Sequence, residues 1–470
     1  MNDTDNLWKK NAKEVIELLE KKEIQLEEVL YSNLKRIREI NPKVNAIVTL
    51  CDEEAVNNIN KKKKELQNTL LKGMPVLIKD ITDVKGVRTT YGSKIFSNHI
   101  PLDSDLVVKT VESRGGVVLG KTNIPEFAAG SHTYNDLFGT TKNPWNLSLS
   151  AGGSSGGSAA ALATGMAWFA TGTDLGGSLR NPASWCGVVG LRPTPGLIPQ
   201  GPSKTSFSNL SVNGPMARNV TDLSIFLDAL VDHNNRDPLS YKKDVGSYHK
   251  NLNCYSDKFF SIGYTEDFGI FPCDKEVRDM TKNTVKLLEN LGHNVNVEYP
   301  NMEAAEESFQ ILRAYLFYSV YDFLLDEDEK LIKEEVLWNI KKGQKLNVNK
   351  LKKADKIRNT IYQETLDFFD KYDFLIAPSS IVPPFNLNEP WVKKVENNIF
   401  NNYVSWLMIA GCVSLTSCPS IAISTSFSEN GAPIGIQIIA PPHQEEKLLS
   451  FVKTIEDALN ISNMIPKDIN

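Results

Sequence analysis

Two glycine-rich turns carry the side chains of this sequence best placed for chemistry. Gly152-Gly153-Ser154-Ser155-Gly156-Gly157-Ser158 and Gly176-Gly177-Ser178 lie within residues 150–183, a stretch of 34 residues with eight glycines and five serines. The apolar run 159–170 separates them. A disordered Gly/Ser linker would lack that Ala-Leu-Met-Trp-Phe middle, so a packed core is expected to hold both turns. Glycine lets the backbone approach a ligand closely and reach positive φ. Its free N–H groups can point at an anion or a developing oxyanion. Two serines so placed predict nucleophilic chemistry.

A serine nucleophile needs a base. Histidine is the usual one, yet His99, His132, His233, His249, His293 and His443 all fall outside the glycine-rich stretch. A triad histidine can be remote in sequence, but each of these also reads as a structural or surface residue. The G-x-S-x-G elbow of α/β-hydrolases has only a loose echo in Gly152-Gly153-Ser154-Ser155-Gly156. The stretch holds no S-x-x-K, and no HExxH or paired His/Cys spacing points to a metal. What remains is a serine served by lysine. Lys79 ends the short apolar segment Met74-Pro75-Val76-Leu77-Ile78. The ends of strands in open α/β sheets are where sites form. Taken singly, Lys79 also reads as a snorkelling strand-end lysine, Ser154 as a turn serine and Ser178 as a helix N-cap.

One motif misleads. Gly115-Gly116-Val117-Val118-Leu119-Gly120-Lys121-Thr122 fits the phosphate-binding G-x-x-x-x-G-K-[ST] pattern letter for letter. That loop needs a strand before it and a helix after it. Here the predicted strand 117–119 falls inside the motif, and Asn123-Ile124-Pro125 interrupts any helix behind it.

The elements that must position these residues alternate along the chain. Apolar spacing predicts two amphipathic helices over 6–40, a strand at 44–50 and a charged helix at 52–70. Further strands are expected at 74–78, 188–191, 259–264, 295–297, 374–377, 421–424 and 434–439. Helices are expected at 105–113, after the N-cap Asn219, at 276–291, through much of 301–370 and at 445–459. This alternation implies an α/β chain with a large, partly parallel sheet.

Length and composition set limits. A chain of 470 residues is long for one ordinary domain, although a single large α/β sheet accommodates it. With 41% hydrophobic and 23% charged residues, the composition is that of a soluble globular protein. A net charge of −5 argues against nucleic acid as a direct partner, and the basic run 61–64 reads as a solvated helix face. Six cysteines without a CxxC pair suit a reducing compartment. There is no signal-peptide core, and the apolar patch 404–413 is too short to span a bilayer, so a cytoplasmic protein is expected.

The sequence resembles the amidase signature family. The resemblance rests on Gly73-Met74-Pro75-Val76-Leu77-Ile78-Lys79-Asp80, on the first glycine-rich turn, and on Gly172-Thr173-Asp174-Leu175-Gly176-Gly177-Ser178-Leu179-Arg180. Cys186-Gly187-Val188-Val189-Gly190-Leu191 and Gly214-Pro215-Met216-Ala217-Arg218 extend it, and Gly431-Ala432-Pro433-Ile434-Gly435-Ile436-Gln437 is similar to the family's late strand.

The resemblance implies a large mixed, twisted β-sheet covered by helices on both faces. It implies residues 1–70 as a helical segment packing on an amidase domain over 71–470, with a signature core at 71–230, a variable substrate side at 231–400 and a return to the sheet at 401–470. It implies a Ser-Ser-Lys triad: Ser178 as nucleophile, Ser154 as the bridging serine on a cis peptide, Lys79 as base. Leu175, Gly176, Gly177 and Ser178 would offer oxyanion N–H groups, with Thr173, Asp174 and Arg180 in support. No cofactor or metal is implied.

The expected reaction is hydrolysis of a small-molecule amide through an acyl-serine, and the resemblance is compatible with a homodimer. The alternative is the glutaminase subunit of a tRNA-dependent amidotransferase. That type carries a Tyr-Gly-containing turn after Lys-Pro-Thr, where this chain has Arg192-Pro193-Thr194-Pro195-Gly196. The physics agrees with the lysine base: an amine with pKa ~10.4 in water becomes a usable base when burial disfavours its charged form. Segments 127–133, 201–210 and 381–391 are expected to shape the pocket, with Phe207, Trp391 and Trp406 as candidate aromatics and Ser131 and His132 nearby.

Overall fold

The computed structural model describes residues 3–243, 246–461, 464–466 and 469. Strands run at Ile47–Leu50 (β1), Pro75–Lys79 (β2), Val117–Thr122 (β3), Phe169–Asp174 (β4), Val189–Arg192 (β5) and Val212–Ala217 (β6). They continue at Ser261–Tyr264 (β7), Asn294–Val297 (β8), Phe374–Pro378 (β9), Ser420–Phe427 (β10) and Pro433–Ile439 (β11). Among the described residues these eleven form one mixed sheet in the order β1-β3-β2-β4-β6-β5-β10-β11-β9-β7-β8. β2 lies parallel to both β3 and β4, the run from β4 to β9 is antiparallel, and β9-β7-β8 is parallel again.

Sequence explains the order of burial. β2, β3, β6, β9 and β11 are buried along their whole length, and β2, β9 and β11 read as near-continuous apolar runs, as strands covered on both faces do. The edge strand β8, Asn-Val-Asn-Val, is mostly exposed.

The α-helices are Ala12–Glu20 (α1), Leu26–Val44 (α2), Asp52–Leu66 (α3), Leu106–Ser113 (α4), Gly156–Ala163 (α5), Arg180–Cys186 (α6) and Val220–Leu230 (α7). They continue with Lys275–Asn290 (α8), Ala305–Tyr321 (α9), Glu334–Gln344 (α10), Val348–Phe369 (α11), Met408–Leu415 (α12) and Glu445–Leu459 (α13). They pack around the sheet, α5 on β2, β4 and β6, and α7 on β4, β5 and β6. The architecture is the expected large mixed sheet with helices around it. Among the described residues no helix is long and apolar enough to cross a membrane.

Local chemistry sets the boundaries. α2 runs through Pro42 to Val44 and stops where Asn45 turns left-handed at φ 55°, so the strand expected from residue 44 begins only at Ile47. The apolar run 159–170 is not one element. α5 ends at Ala163 with Thr164 as its C-cap, Gly165 turns at φ +76°, and β4 starts at Phe169. A side chain at 165 would strike the Trp8 ring, 2.5 Å from an added Cβ. Asn219 caps α7 by accepting from the Asp222 N–H at 2.8 Å, and Leu223, Phe226, Leu227 and Leu230 are buried as expected. The Asp222 carboxylate accepts the Ala12 and Lys13 N–H groups at 2.9 and 3.1 Å, which fastens the start of α1 to α7.

The contact that seats the first glycine turn is tight. A Cβ at Gly157 would lie 2.6 Å from the Asn123 carbonyl oxygen and 2.7 Å from that of Ala46, both backbone atoms that cannot swing aside. Gly157→Ala is therefore expected to lower unfolding free energy by roughly 1–3 kcal/mol. Chemical denaturation checks this, and an unchanged midpoint would mean that the backbone there is looser than described.

Candidate active site

β2 delivers a charged residue type to a fully buried strand end. Its first four residues are apolar and buried, and Lys79 at its end is 0% exposed. The Lys79 N–H donates to Thr171 Oγ1 of β4 at 3.1 Å. Its Nζ lies 2.7 Å from Ser154 Oγ, 2.7 Å from Thr173 Oγ1 and 3.4 Å from the Thr173 carbonyl oxygen. Burial pushes its pKa well below the ordinary lysine value, and the charge of Asp174 opposes this only in part. A neutral amine has two N–H groups and one lone pair. The oxygens of Thr173 can accept the two N–H groups, which leaves the lone pair for the Ser154 hydroxyl proton.

Ser154 sits in a turn made of close approaches. Gly152 has φ +75°, the Gly153–Ser154 peptide is cis, and the Gly156 N–H donates to Thr133 Oγ1 at 3.1 Å. A Cβ on Gly153 would lie 3.0 Å from both the His132 nitrogen and the Ser131 carbonyl carbon. Ser131 and His132 therefore pack against the turn and do not line the cavity. The buried His132 ring bridges Ser150 Oγ (2.7 Å) and the Leu387 carbonyl (3.0 Å), and burial lowers its pKa to about 4.

The second turn hangs on Asp174. Its carboxylate accepts the Gly177 N–H at 2.9 Å and the Leu179 N–H at 3.1 Å. Arg180 grips it with Nε at 3.0 Å and Nη2 at 2.9 Å, a bidentate pair with both side chains fully buried. Arg192 adds a second guanidinium 3.5 Å away. Burial alone would raise the Asp174 pKa, but the two arginines and the N–H donors hold it well below the usual carboxylate range. Gln437 and Ser414 accept from Arg180 at 2.5 and 2.9 Å.

Of the four N–H groups expected to face an oxyanion, that of Gly177 is thus taken by Asp174. Those of Leu175, Gly176 and Ser178 have no acceptor among the described residues. Gly177, at φ +102°, instead supplies a backbone shape, and an added Cβ would lie 2.7 Å from Ala410 Cβ.

The two turns meet. The Ser155 N–H donates to the Ser178 carbonyl at 3.2 Å. Ser154, Thr173, Leu175, Gly176 and Ser178 line one cavity of about 550 Å³. The structure brings Lys79 to Ser154, but no hydrogen bond joins the Ser154 and Ser178 hydroxyls among the described residues. Such bonds are often long without a bound substrate.

The expected pocket aromatics are elsewhere. Phe207 is 84% exposed and Trp406 is buried in a stack with Trp185; neither they nor Trp391 line the cavity. Parts of 127–133 and 201–210 do line it, whereas no residue of 381–391 does. The aromatic wall comes from α9 instead, with Phe309, Arg313, Leu316 and Phe317, beside Tyr91 and Phe127. Sequence reasoning missed α9 and Arg192. The former looked like an ordinary helix in a charged region, and the latter like part of a turn. Lys121 of the nucleotide-like motif is buried in β3, 3.4 Å from Asp80 Oδ1, donating to Thr82 O and Thr89 Oγ1. It cannot cradle a phosphate there.

Set beside known proteins, residues 28–449 match the amidase family model. A glutamyl-tRNA(Gln) amidotransferase subunit from Halothermothrix orenii is 36% identical, over 97% of this chain and 98% of its own length. The solved 6-aminohexanoate cyclic dimer hydrolase with bound substrate superposes at TM-score 0.89 with 26% identity, over 99% of this chain and 100% of that one. The corresponding glutamyl-tRNA(Gln) amidotransferase subunit from Thermotoga maritima superposes at TM-score 0.70 with 27% identity, over 92% of this chain and 94% of that one.

Asp174 is the counter-charge of two buried arginines, so Asp174→Asn leaves both uncompensated. A loss of about 3–5 kcal/mol of stability is expected by urea denaturation. A variant of wild-type stability would show that the ion cluster does not hold this loop.

Proposed function

This chain belongs to the amidase family, a hydrolase acting on carboxylic-amide C–N bonds, and we propose that Lys79, Ser154 and Ser178 carry out that cleavage. The observation that carries the proposal is the buried Lys79 amine, 2.7 Å from Ser154 Oγ and without a carboxylate partner among the described residues. Neutral Lys79 takes the proton of Ser154. Ser154 takes that of Ser178, and Ser178 Oγ attacks the amide carbonyl. The N–H groups of Leu175, Gly176 and Ser178 stabilise the tetrahedral oxyanion, an effect of roughly 3–4 kcal/mol where one donor has been removed in other enzymes. The proton returns through Ser154 to the leaving nitrogen, and the C–N bond breaks. An acyl-Ser178 remains. Water then attacks it through the same relay, releasing the carboxylate. Thr173, Asp174 and Arg180 hold the parts in place.

The substrate is a small-molecule amide. The partly apolar cavity of about 550 Å³ supports this, as does the closer superposition on the cyclic dimer hydrolase than on the Thermotoga amidotransferase protein. The second reading is a glutaminase subunit of a tRNA-dependent amidotransferase, favoured by the whole-chain sequence identity to the Halothermothrix protein. Ammonia release separates them. The first reading expects turnover of simple amides by the chain alone, the second expects turnover of glutamine that depends on a partner. All six cysteines are free, five of them buried, which fits a reducing cytoplasm.

A serine-reactive fluorophosphonate should form one adduct, on Ser178, mapped by mass spectrometry. Lys79→Met should lose the adduct and reduce amide turnover by roughly 10²- to 10⁴-fold while remaining folded. An adduct on another serine would overturn the assignment. Because the amine must be neutral to act, activity should fall as pH drops through the lowered Lys79 pKa. It should stay level on the alkaline side, through the range where an ordinary lysine titrates. A rate that instead climbs with the surface lysines would contradict a buried base.

A further inference from the structure

Arg313 has no counter-charge among the described residues. It lies on α9, is 4% exposed, and lines the cavity that holds Ser178. Its guanidinium carbon stands 4.2 Å from the centre of the Phe317 ring and 5.2 Å from that of Tyr403. Its Nη1 is buried with no hydrogen-bond partner. The Tyr403 hydroxyl is within its reach, but among the described residues no carboxylate pairs with it and no carbonyl accepts from it. Arg192 and Arg218 also each keep one buried Nε without a partner, but their remaining nitrogens are satisfied. Arg180 and Arg192 share Asp174, and Arg218 donates to the carbonyls of Trp8 and Lys10.

The neighbouring cations add to the positive potential without answering it. Lys333 has Glu335 at 3.8 Å, and Lys342 donates to the Gln310 side chain. The two carboxylates that line the same cavity are occupied elsewhere: Asp83 accepts from the Tyr91 hydroxyl at 2.7 Å, and Asp105 from the Val107 N–H at 3.0 Å. A buried charge without a partner is strongly disfavoured, and the planar fork of arginine matches a carboxylate.

Distance along the helix says where that carboxylate would be. Phe309, one turn before Arg313, covers the oxyanion loop, its Cζ 2.9 Å from where a Cβ on Gly176 would sit. Residues four apart on a helix share a face about 6 Å apart along the axis. We propose that Arg313 binds a carboxylate on the acyl half of the substrate, a few carbons from the scissile carbonyl. The natural substrate class is then the monoamide of a dicarboxylic acid. The proposal rests on the amide-hydrolase reading above.

The test compares glutaramate with its neutral analogue pentanamide by ammonia release. In the wild type kcat/KM for glutaramate should exceed that for pentanamide by roughly 10- to 100-fold, the range for a hydrogen-bonded charge. Arg313→Gln should bring the ratio toward one, mainly through KM, and Arg313→Lys should restore part of it. Glutarate should compete with substrate in the wild type, and pentanoate should not. A wild-type ratio of one or less overturns the proposal, as does a ratio that survives in Arg313→Gln. If that variant does not fold, the wild-type ratio and the competition by glutarate still decide. A wild type that labels on Ser178 with a ratio of one overturns the carboxylate site alone. One that neither labels nor turns over either amide overturns the hydrolase reading with it.

Discussion

The amine of Lys79 lies where water does not reach it and where, among the described residues, no carboxylate pairs with it. Keeping a charged ammonium there would be costly, so burial drives the lysine pKa well below its ordinary value and favours the neutral amine. The acid that acts on it is Asp174, and its charge alone would draw a proton back onto Lys79. Arg180, Arg192 and two backbone N–H groups neutralise it. The ion cluster under the second glycine turn thus shapes the loop that bears Ser178 and also favours the neutral form of Lys79. A single carboxylate links the two tasks.

The sheet explains why these groups can be so close. β2 is parallel to both its neighbours, so its end and that of β4 open on the same side, where loops can converge. Lys79 comes from one strand end, and Thr173 and Asp174 from the other. The glycines then let backbone pass where side chains would collide: Gly157 against Asn123 and Ala46, Gly177 against Ala410, Gly176 under Phe309. The proposed chemistry is therefore carried by the ends of two adjacent buried strands. Part of the cavity wall comes from α9, far along the chain, whose Phe309 packs on the Gly176 loop.

What was legible in the sequence divides along the same line. The alternation of apolar segments pointed to the mixed sheet, and the glycine turns with Lys79 pointed to the residues that now meet around one cavity. Asn219 and its buried face were readable because a cap and a helical stripe are local signals. The pocket was not. Trp406 and Trp391 are large and apolar, but they pack into the core, since nothing in composition tells a cavity wall from a core contact. Arg313 looked like one more charge on an amphipathic helix until the fold set it apart from the described acids. The commitment of the Gly177 N–H to Asp174 is likewise a matter of loop geometry, three residues apart in sequence and settled only by the turn between them. Gly165, which divides one apolar run into a helix and a strand, was visible as a residue but not as a boundary, because the Trp8 ring that enforces it lies more than 150 positions away.

The central claim is that Lys79 is a neutral amine under conditions where the surface lysines are charged. The direct measurement is a titration of the lysine side-chain nitrogens by NMR in 15N-lysine-labelled protein, with the Lys79 signal assigned by its loss in Lys79→Met. The account predicts one lysine that titrates well below the bulk of the others in the folded protein, and that rejoins them when the protein is unfolded in urea. A Lys79 signal that titrates together with the surface lysines in the folded protein would contradict it, and the relay through Ser154 would lose its base.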